Sequence, residues 1–267
     1  MVTQQAGKIR KLARAAVRST ALAGCVIACL AEYLTAASLR RLNAANRTRI
    51  LEKWSWHVVR RINMQLTVTG SPPGQGLIVS NHLSYLDILV FSAAASCAFV
   101  AKSELRSWPV VGRIATLGGT VFIDRTRRVA TQAIQPEMEA ALSAGHRLVL
   151  FPEGTSHDGS RLLRFHSSLF EPAVALQAPV TAAFLTYSIT DGDAATQVCY
   201  WGEMTLLPHL MKLLTKESVR ATLMFSPEVF YFADRKEAAR VMQQQVERLR
   251  QAQLPATAEL TARSLVQ

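Results

Sequence analysis

Leu77-Ile78-Val79-Ser80-Asn81-His82-Leu83-Ser84-Tyr85-Leu86-Asp87-Ile88-Leu89-Val90-Phe91 sets a polar patch between two apolar runs. The first run reads as a short buried strand and the second as the body of a helix. Ser84, three residues ahead of Asp87, fits a helix N-cap, which puts His82 in the strand-to-helix turn just before it. Open α/β sheets carry their chemistry at such turns. A turn lets the imidazole fold back over the first helical turn. Asp87 can then accept a hydrogen bond from one ring nitrogen and leave the other to take a proton. This is the base and its orienter without a nucleophile; no Ser or Cys stands out as a third member, so a substrate hydroxyl is the candidate. The plainer alternative has Asp87 capping a helix and His82 bonding a loop carbonyl.

Outward from this stretch, strands are expected at Met64 to Thr69, Cys97 to Ala101, Thr120 to Ile123, Leu148 to Phe151, Pro179 to Tyr187, Gln197 to Trp201 and Val219 to Phe225. Helical patterns cover Pro109 to Leu117, Arg128 to Ala144, Thr205 to Leu214 and Arg235 to Arg250. The alternation predicts an α/β fold, a largely parallel or mixed sheet flanked by helices, over residues 63–251. The tail 252–267 carries no strong pattern. Three polar signatures stand at expected strand ends: His82/Asp87, Asp124-Arg125 and Pro152-Glu153-Gly154-Thr155. On a parallel sheet they converge on one edge. Arg125 offers a fork of donors suited to phosphate, and Gly154 beside Glu153 lets backbone approach a ligand closely.

The formal charge of +11 is unevenly placed. Residues 1–62 hold 12 Lys/Arg against Glu32 and Glu52, a net of +10, which leaves +1 for residues 63–267. Nucleic acid and anionic membrane both attract such a segment. Ser19 to Leu39 runs apolar with Glu32 as its only charge, is weakly hydrophobic, and is basic on both flanks. That pattern favours a helix lying in, or dipping into, the cytoplasmic leaflet, and no nucleic-acid partner is expected. A second amphipathic segment, about Asn46 to Asn63, mixes five cations with Trp54 and Trp56, as a membrane interface prefers. Residues 1–62 are therefore expected to be a helical hairpin that anchors the chain on the inner membrane, with the body on the cytoplasmic face. Cys25, Cys29, Cys97 and Cys199 show neither zinc spacing nor a disulfide framework. His57, His146, His157 and His209 have no motif around them and are read as structural or exposed.

Asn81-His82-Leu83-Ser84-Tyr85-Leu86-Asp87 resembles the His-x4-Asp block of the membrane-associated glycerolipid acyltransferases, whose best-known members are the 1-acyl-glycerol-3-phosphate acyltransferases. Gly119-Thr120-Val121-Phe122-Ile123-Asp124-Arg125 is similar to the second block of that family, and Phe151-Pro152-Glu153-Gly154-Thr155 to the third. Ala178-Pro179-Val180-Thr181 approximates the fourth. Lys102, with Pro109 and Gly112, fits the pattern between the first two. The resemblance implies transfer of an acyl group from acyl-CoA or acyl carrier protein to the free hydroxyl of 1-acyl-glycerol-3-phosphate, with no metal or cofactor. Lyso-ornithine lipid, a different lysophospholipid or glycerol-3-phosphate is the alternative acceptor. It also implies that His82 is the base and Asp87 its partner, that Arg125 holds the acceptor phosphate, and that Lys102, Glu153, Gly154 and Thr155 bind substrate. Two positions depart from the family: Ser156 and His166 stand where Arg and Lys are common.

Overall fold

Consecutive side chains of a strand point to opposite faces, so an unbroken apolar run such as Leu77-Ile78-Val79 needs cover on both. The computed structural model describes residues 2–123 and 131–264 and supplies that cover. Leu77 and Val79 enter one apolar core and Ile78 the other, with a sheet between them.

Among the described residues the sheet has seven strands: β1 (Met64–Thr69), β2 (Gly76–Val79), β3 (Ala98–Lys102), β4 (Val121–Ile123), β5 (Arg147–Leu150), β6 (Val180–Ser188) and β7 (Val219–Phe225). Their spatial order is β1-β7-β6-β2-β5-β3-β4. Every neighbouring pair is parallel except β6 with β7. The sheet is thus mixed, and the C-terminal ends of β6, β2, β5, β3 and β4 share one edge.

The helices are α1 (Val2–Ser38), α2 (Ala44–Arg61), α3 (Leu86–Ala94), α4 (Val111–Leu117), α5 (Thr131–Ser143), α6 (Glu171–Ala175), α7 (Ala194–Gln197), α8 (Leu206–Leu214) and α9 (Arg235–Ser264). Leu51, Val58 and Val59 of α2, Val90 and Phe91 of α3, and Leu213 and Leu214 of α8 cover the face that holds Ile78. Met138 of α5, Ala173 of α6, and Met242 and Val246 of α9 cover the other.

Four sequence-based expectations change. Gln197 to Trp201 is not a strand: α7 ends at Gln197, and Val198 and Cys199 are buried beside it with their N–H groups both directed to the Ala194 carbonyl. The apolar run is covered without sheet pairing. The tail has a pattern after all, since α9 runs through Ala252 without a break. Ser84 does not cap α3; Tyr85 holds the cap position and the buried Ser84 hydroxyl has no partner among the described residues. Trp54 does not face outward: its indole N–H donates to Glu32 of α1 at 2.7 Å and its ring packs inside the helix pair. Trp56 is exposed, with the Arg60 guanidinium 4.5 Å from its ring centre.

Candidate active site

The turn after β2 is fixed by amide groups that imitate a ladder. Asn81 is buried, and its side chain donates to the Leu185 carbonyl and accepts from the Leu185 N–H, both at 2.9 Å. Those two bonds continue the β2–β6 pairing two residues past the strand, so the chain leaves the sheet at a set position. His82 follows. Its Nδ1 lies 2.7 Å from Asp87 Oδ2, and its ring stacks on Phe151 at 4.4 Å between centres. Because a carboxylate oxygen accepts, Nδ1 carries the proton and Nε2 presents its lone pair. Nε2 has no hydrogen-bond partner among the described residues, and the His82 side chain is 24% exposed. It can receive a proton from something outside the fold.

Asp87 is wholly buried, and four donors converge on it. Oδ2 accepts from the His82 ring and from the N–H groups of Leu83 at 2.7 Å and Ser84 at 3.1 Å. Oδ1 accepts from the Tyr187 hydroxyl at 2.8 Å. Asp87 therefore reaches back to the start of α3 as the acidic member of a capping box does, and positions imidazole and turn together. The N–H groups of Leu83, Ser84 and Asp87 at this helix start are engaged within the turn and are not free to serve an oxyanion. Burial, with Asp87 beside it, pushes the Tyr187 phenol well above its ordinary value, so it stays a donor.

Glu153 follows β5, the strand next to β2, and is also buried. Its Oε2 accepts from the His82 N–H at 2.8 Å and from His157 Nε2 at 3.1 Å, and its Oε1 accepts from the Leu163 N–H at 2.8 Å. The Gly159 N–H donates to His157 Nδ1 at 3.0 Å, which places the imidazole proton on Nε2. The His157 N–H donates to the His82 carbonyl at 3.1 Å. Residues 153–157 thus hold His82 at both its N–H and its carbonyl. Gly154 turns with φ +73°, a conformation that favours glycine, and Thr155 is exposed beside it.

Lys102 ends β3 on the same edge and is exposed. Asp124 and Arg125 lie outside the described residues. The strand before them, β4, is three strands from β2, which at 4.8 Å per strand is about 14 Å along the edge.

Residues without a motif also enter the site. Tyr85 donates to His209 Nδ1 at 3.1 Å, and His209 Nε2 donates to the Cys199 carbonyl at 3.0 Å. The Tyr200 N–H donates to the Leu83 carbonyl at 2.8 Å, and the Ser156 hydroxyl donates to the Tyr200 carbonyl. Burial pushes the Cys199 thiol up to about 12, with Asp87 adding to it, so it is no thiolate nucleophile. Tyr187 and Tyr200 were not singled out from sequence, and His157 and His209, read there as structural or exposed, are both buried and brace the turn. Only His157, four residues after Glu153, carries a local hint, since the others reach the turn from 100 residues away or more.

A family model described as acyltransferase matches residues 63–185. A lyso-ornithine lipid O-acyltransferase of Brucella abortus is 38% identical over 192 residues, 67% of this chain and 72% of that protein. One of Pseudomonas aeruginosa is 34% identical over 203 residues, 75% of this chain and 78% of that protein. A 1-acyl-sn-glycerol-3-phosphate acyltransferase of Neisseria gonorrhoeae is 36% identical over 128 residues, 48% of this chain and 50% of that protein. The crystal structure of the 1-acyl-sn-glycerophosphate acyltransferase PlsC of Thermotoga maritima superposes with a TM-score of 0.66 at 22% identity, over 91% of this chain and 98% of that one, and so shares the fold. On these relatives, and on a His-x4-Asp turn at the edge of a mixed α/β sheet, the chain belongs to the acyltransferase family.

Proposed function

We propose that the protein moves a fatty acyl group from a thioester donor to the free hydroxyl of a lysolipid, with His82 as general base. The observation that carries this is an Nε2 without a partner among the described residues, on a ring whose Nδ1–H is held by buried Asp87. Nε2 takes the proton of the acceptor hydroxyl as its oxygen attacks the thioester carbonyl. The tetrahedral intermediate then collapses, the C–S bond breaks, and the thiolate leaves and recovers that proton from His82. Glu153 is a positioning residue in this scheme, because its oxygens are occupied by donors of the protein itself. Gly154, Thr155 and Lys102 line the edge on which the substrate enters. The donor is acyl-CoA or acyl carrier protein.

For the acceptor we favour lyso-ornithine lipid over 1-acyl-glycerol-3-phosphate. The Brucella and Pseudomonas relatives, matched over 72% and 78% of their length, carry the first name. The residues support it too: Ser156 stands where Arg is common in the family, which removes a cation that a phosphate could use, and its hydroxyl is spent on Tyr200. Arg125 and the Neisseria relative favour the phosphate acceptor as the second reading. Wild type and Arg125→Ala, assayed on both lipids with labelled donor, decide between them. A phosphate monoester held by Arg125 gains about 1.5–3 kcal/mol, so its loss should lower kcat/KM for lysophosphatidate by about 10- to 150-fold. A wild type that acylates lysophosphatidate alone would overturn the preferred acceptor; one that acylates neither would overturn the reaction.

We read residues 1–62 as a membrane-seated hairpin. α1 is long and apolar enough to cross a bilayer. However, Ala15, Arg18, Cys25, Cys29 and Tyr33 are buried along its length, while Ile9, Leu12, Ile27 and Leu34 are exposed on another face. A helix packed on the body along one side and apolar on another suits a position in the interface plane. The net +10 favours the anionic cytoplasmic leaflet of the inner membrane. Protease accessibility of residues 64–267 from the outer side of the inner membrane would overturn this topology.

A further inference from the structure

The sequence Leu206-Leu207-Pro208-His209-Leu210-Met211 makes α8 apolar on two sides, and the fold uses only one of them. His209, Leu213 and Leu214 face inward. Leu207 is 69% exposed and Met211, one turn on, 42% exposed, with Pro208 exposed between them. On a helix of nine residues this is an apolar face that no other element covers among the described residues.

Its neighbour is α1. The Ser19 hydroxyl lies 3.8 Å from the Met211 sulfur, and Arg14 and Arg18 donate to the carbonyls of Thr215, Leu214 and Glu217 at the far end of α8. The two helices therefore lie side by side where Ser19 meets Met211, and α1 carries exposed apolar residues on either side of Ser19 in sequence, Leu12, Val17 and Ile27 among them. Lys8, Lys11 and Lys212 are exposed along the same pair. An apolar face fringed by lysines is complementary to an anionic lipid surface, where the apolar part enters the acyl boundary and the ammonium groups meet phosphates.

We propose that the outer face of α8, through Leu207, Pro208 and Met211, docks on an anionic bilayer as a second lipid-contacting element beside α1. This rests on the reading of α1 as a membrane-seated helix. The consequence is orientation. α1 alone is a line of contact about which the body can roll, whereas two adjoining helices define a plane. The inner side of α8 bears His209, which holds Tyr85 in the catalytic turn. The lipid plane then lies about one helix diameter, roughly 10 Å, from that turn, and the hydroxyl of a membrane-resident acceptor need leave the interface only by that much.

The test uses the full-length chain and flotation with phosphatidylcholine vesicles, with and without phosphatidylglycerol. Three paired variants are compared: Leu207→Ser with Met211→Ser on α8, Ile27→Ser with Leu34→Ser on α1, and Val68→Ser with Tyr231→Ser as exposed apolar residues elsewhere. Circular dichroism melts confirm the folds; all six positions are exposed. The α8 pair should lower partitioning by about tenfold or more, because two apolar side chains stop entering lipid. The control pair should not. If the α1 pair releases the protein and the α8 pair does not, the proposal is overturned and the hairpin stands. If neither pair changes partitioning, the hairpin reading falls as well. If wild type sediments as a dimer without vesicles and the α8 pair makes it a monomer, the face belongs to a second copy, which also overturns the proposal.

Discussion

His82 and Asp87 form a pair whose second carboxylate oxygen would be bare without Tyr187, and buried bare acceptors are costly. Tyr187→Phe keeps the ring and removes that one donor, so Asp87 can turn and the imidazole with it. The expected result is a kcat about tenfold lower with KM little changed, since the hydroxyl acts through Asp87 and not on substrate. Steady-state kinetics on both lipids check it, and equal changes in kcat and KM would argue for a role in binding. His82→Ala should cost at least about 100-fold in kcat, the usual minimum for a general base; a folded variant keeping a tenth of the rate would exclude that role. His82 and Asp87 were legible from sequence because a local turn joins them, five residues apart. Tyr187 was not, because its partner is 100 residues distant and strand pairing alone brings them together. Glu153 was legible as a site residue but not as a brace for the His82 backbone. That distinction depends on where its oxygens point, which a Pro-Glu-Gly-Thr string does not encode.

At the scale of elements, β1 to β7, α4 and α8 stood within two residues of their expected bounds, β1 and β7 coinciding with them, whereas α9 runs 14 residues past Arg250, where its pattern was expected to end. Failures came where burial had another source. Val198 and Cys199 are apolar enough for a strand, but they are covered by loop and helix packing in the segment that leads to α8 and His209. His209 accepts from Tyr85 and donates to Cys199, a pattern that only neutral imidazole can make. Burial lowers its pKa, opposed in part by the Cys199 carbonyl and reinforced by Lys212. The sign follows: below the ordinary value of about 6.5 the unfolded chain binds a proton that native His209 refuses. Its contribution to stability is complete above about pH 6.5 and is lost as pH falls toward its lowered native value. Melting temperatures measured from about pH 7.5 down to about pH 5 should decline less steeply for His209→Asn than for wild type. Parallel curves would exclude this role. Arg18 acts on the other end of α8, where its guanidinium donates to the carbonyls of Leu214, Lys216 and Glu217. A cation at a helix C-terminus complements the dipole, so Arg18→Ala should destabilise the fold by about 1.5–3 kcal/mol in urea titration. A charge counted from sequence as membrane-directed is in part a cap.

For the molecule as a whole, the division at residue 62 into anchor and body follows composition, and packing crosses it. Leu51, Val58, Val59 and Ile62 are buried in the same core as Ile78, Phe91 and Val149, and Ala15 and Cys25 of α1 join it. Composition could not reveal this, because an amphipathic helix shows the same apolar stripe whether it meets lipid or a sheet. Burial of an aliphatic side chain is worth about 1.5–3 kcal/mol. Four of them on α2 and its end therefore account for about 6–12 kcal/mol, which is the scale of a whole domain's stability. Deleting residues 1–62 should then yield no free enzyme body but a chain without a cooperative melt, with α3 stripped on the face that α2 covers and the Asp87 turn unsupported. Deleting residues 1–13 stops short of Arg14 and every buried residue of α1 named here. It should leave a cooperative melt, weaken binding to anionic vesicles through loss of Lys8, Arg10 and Lys11 by about 1 kcal/mol for each cation near the surface, and preserve turnover of a detergent-dispersed acceptor. Thermal melts followed by circular dichroism, read with vesicle flotation of both truncations, test the pair. A soluble, cooperatively folded 63–267 fragment that acylates the acceptor would show that α2 is dispensable to the core and would restore the boundary drawn by charge.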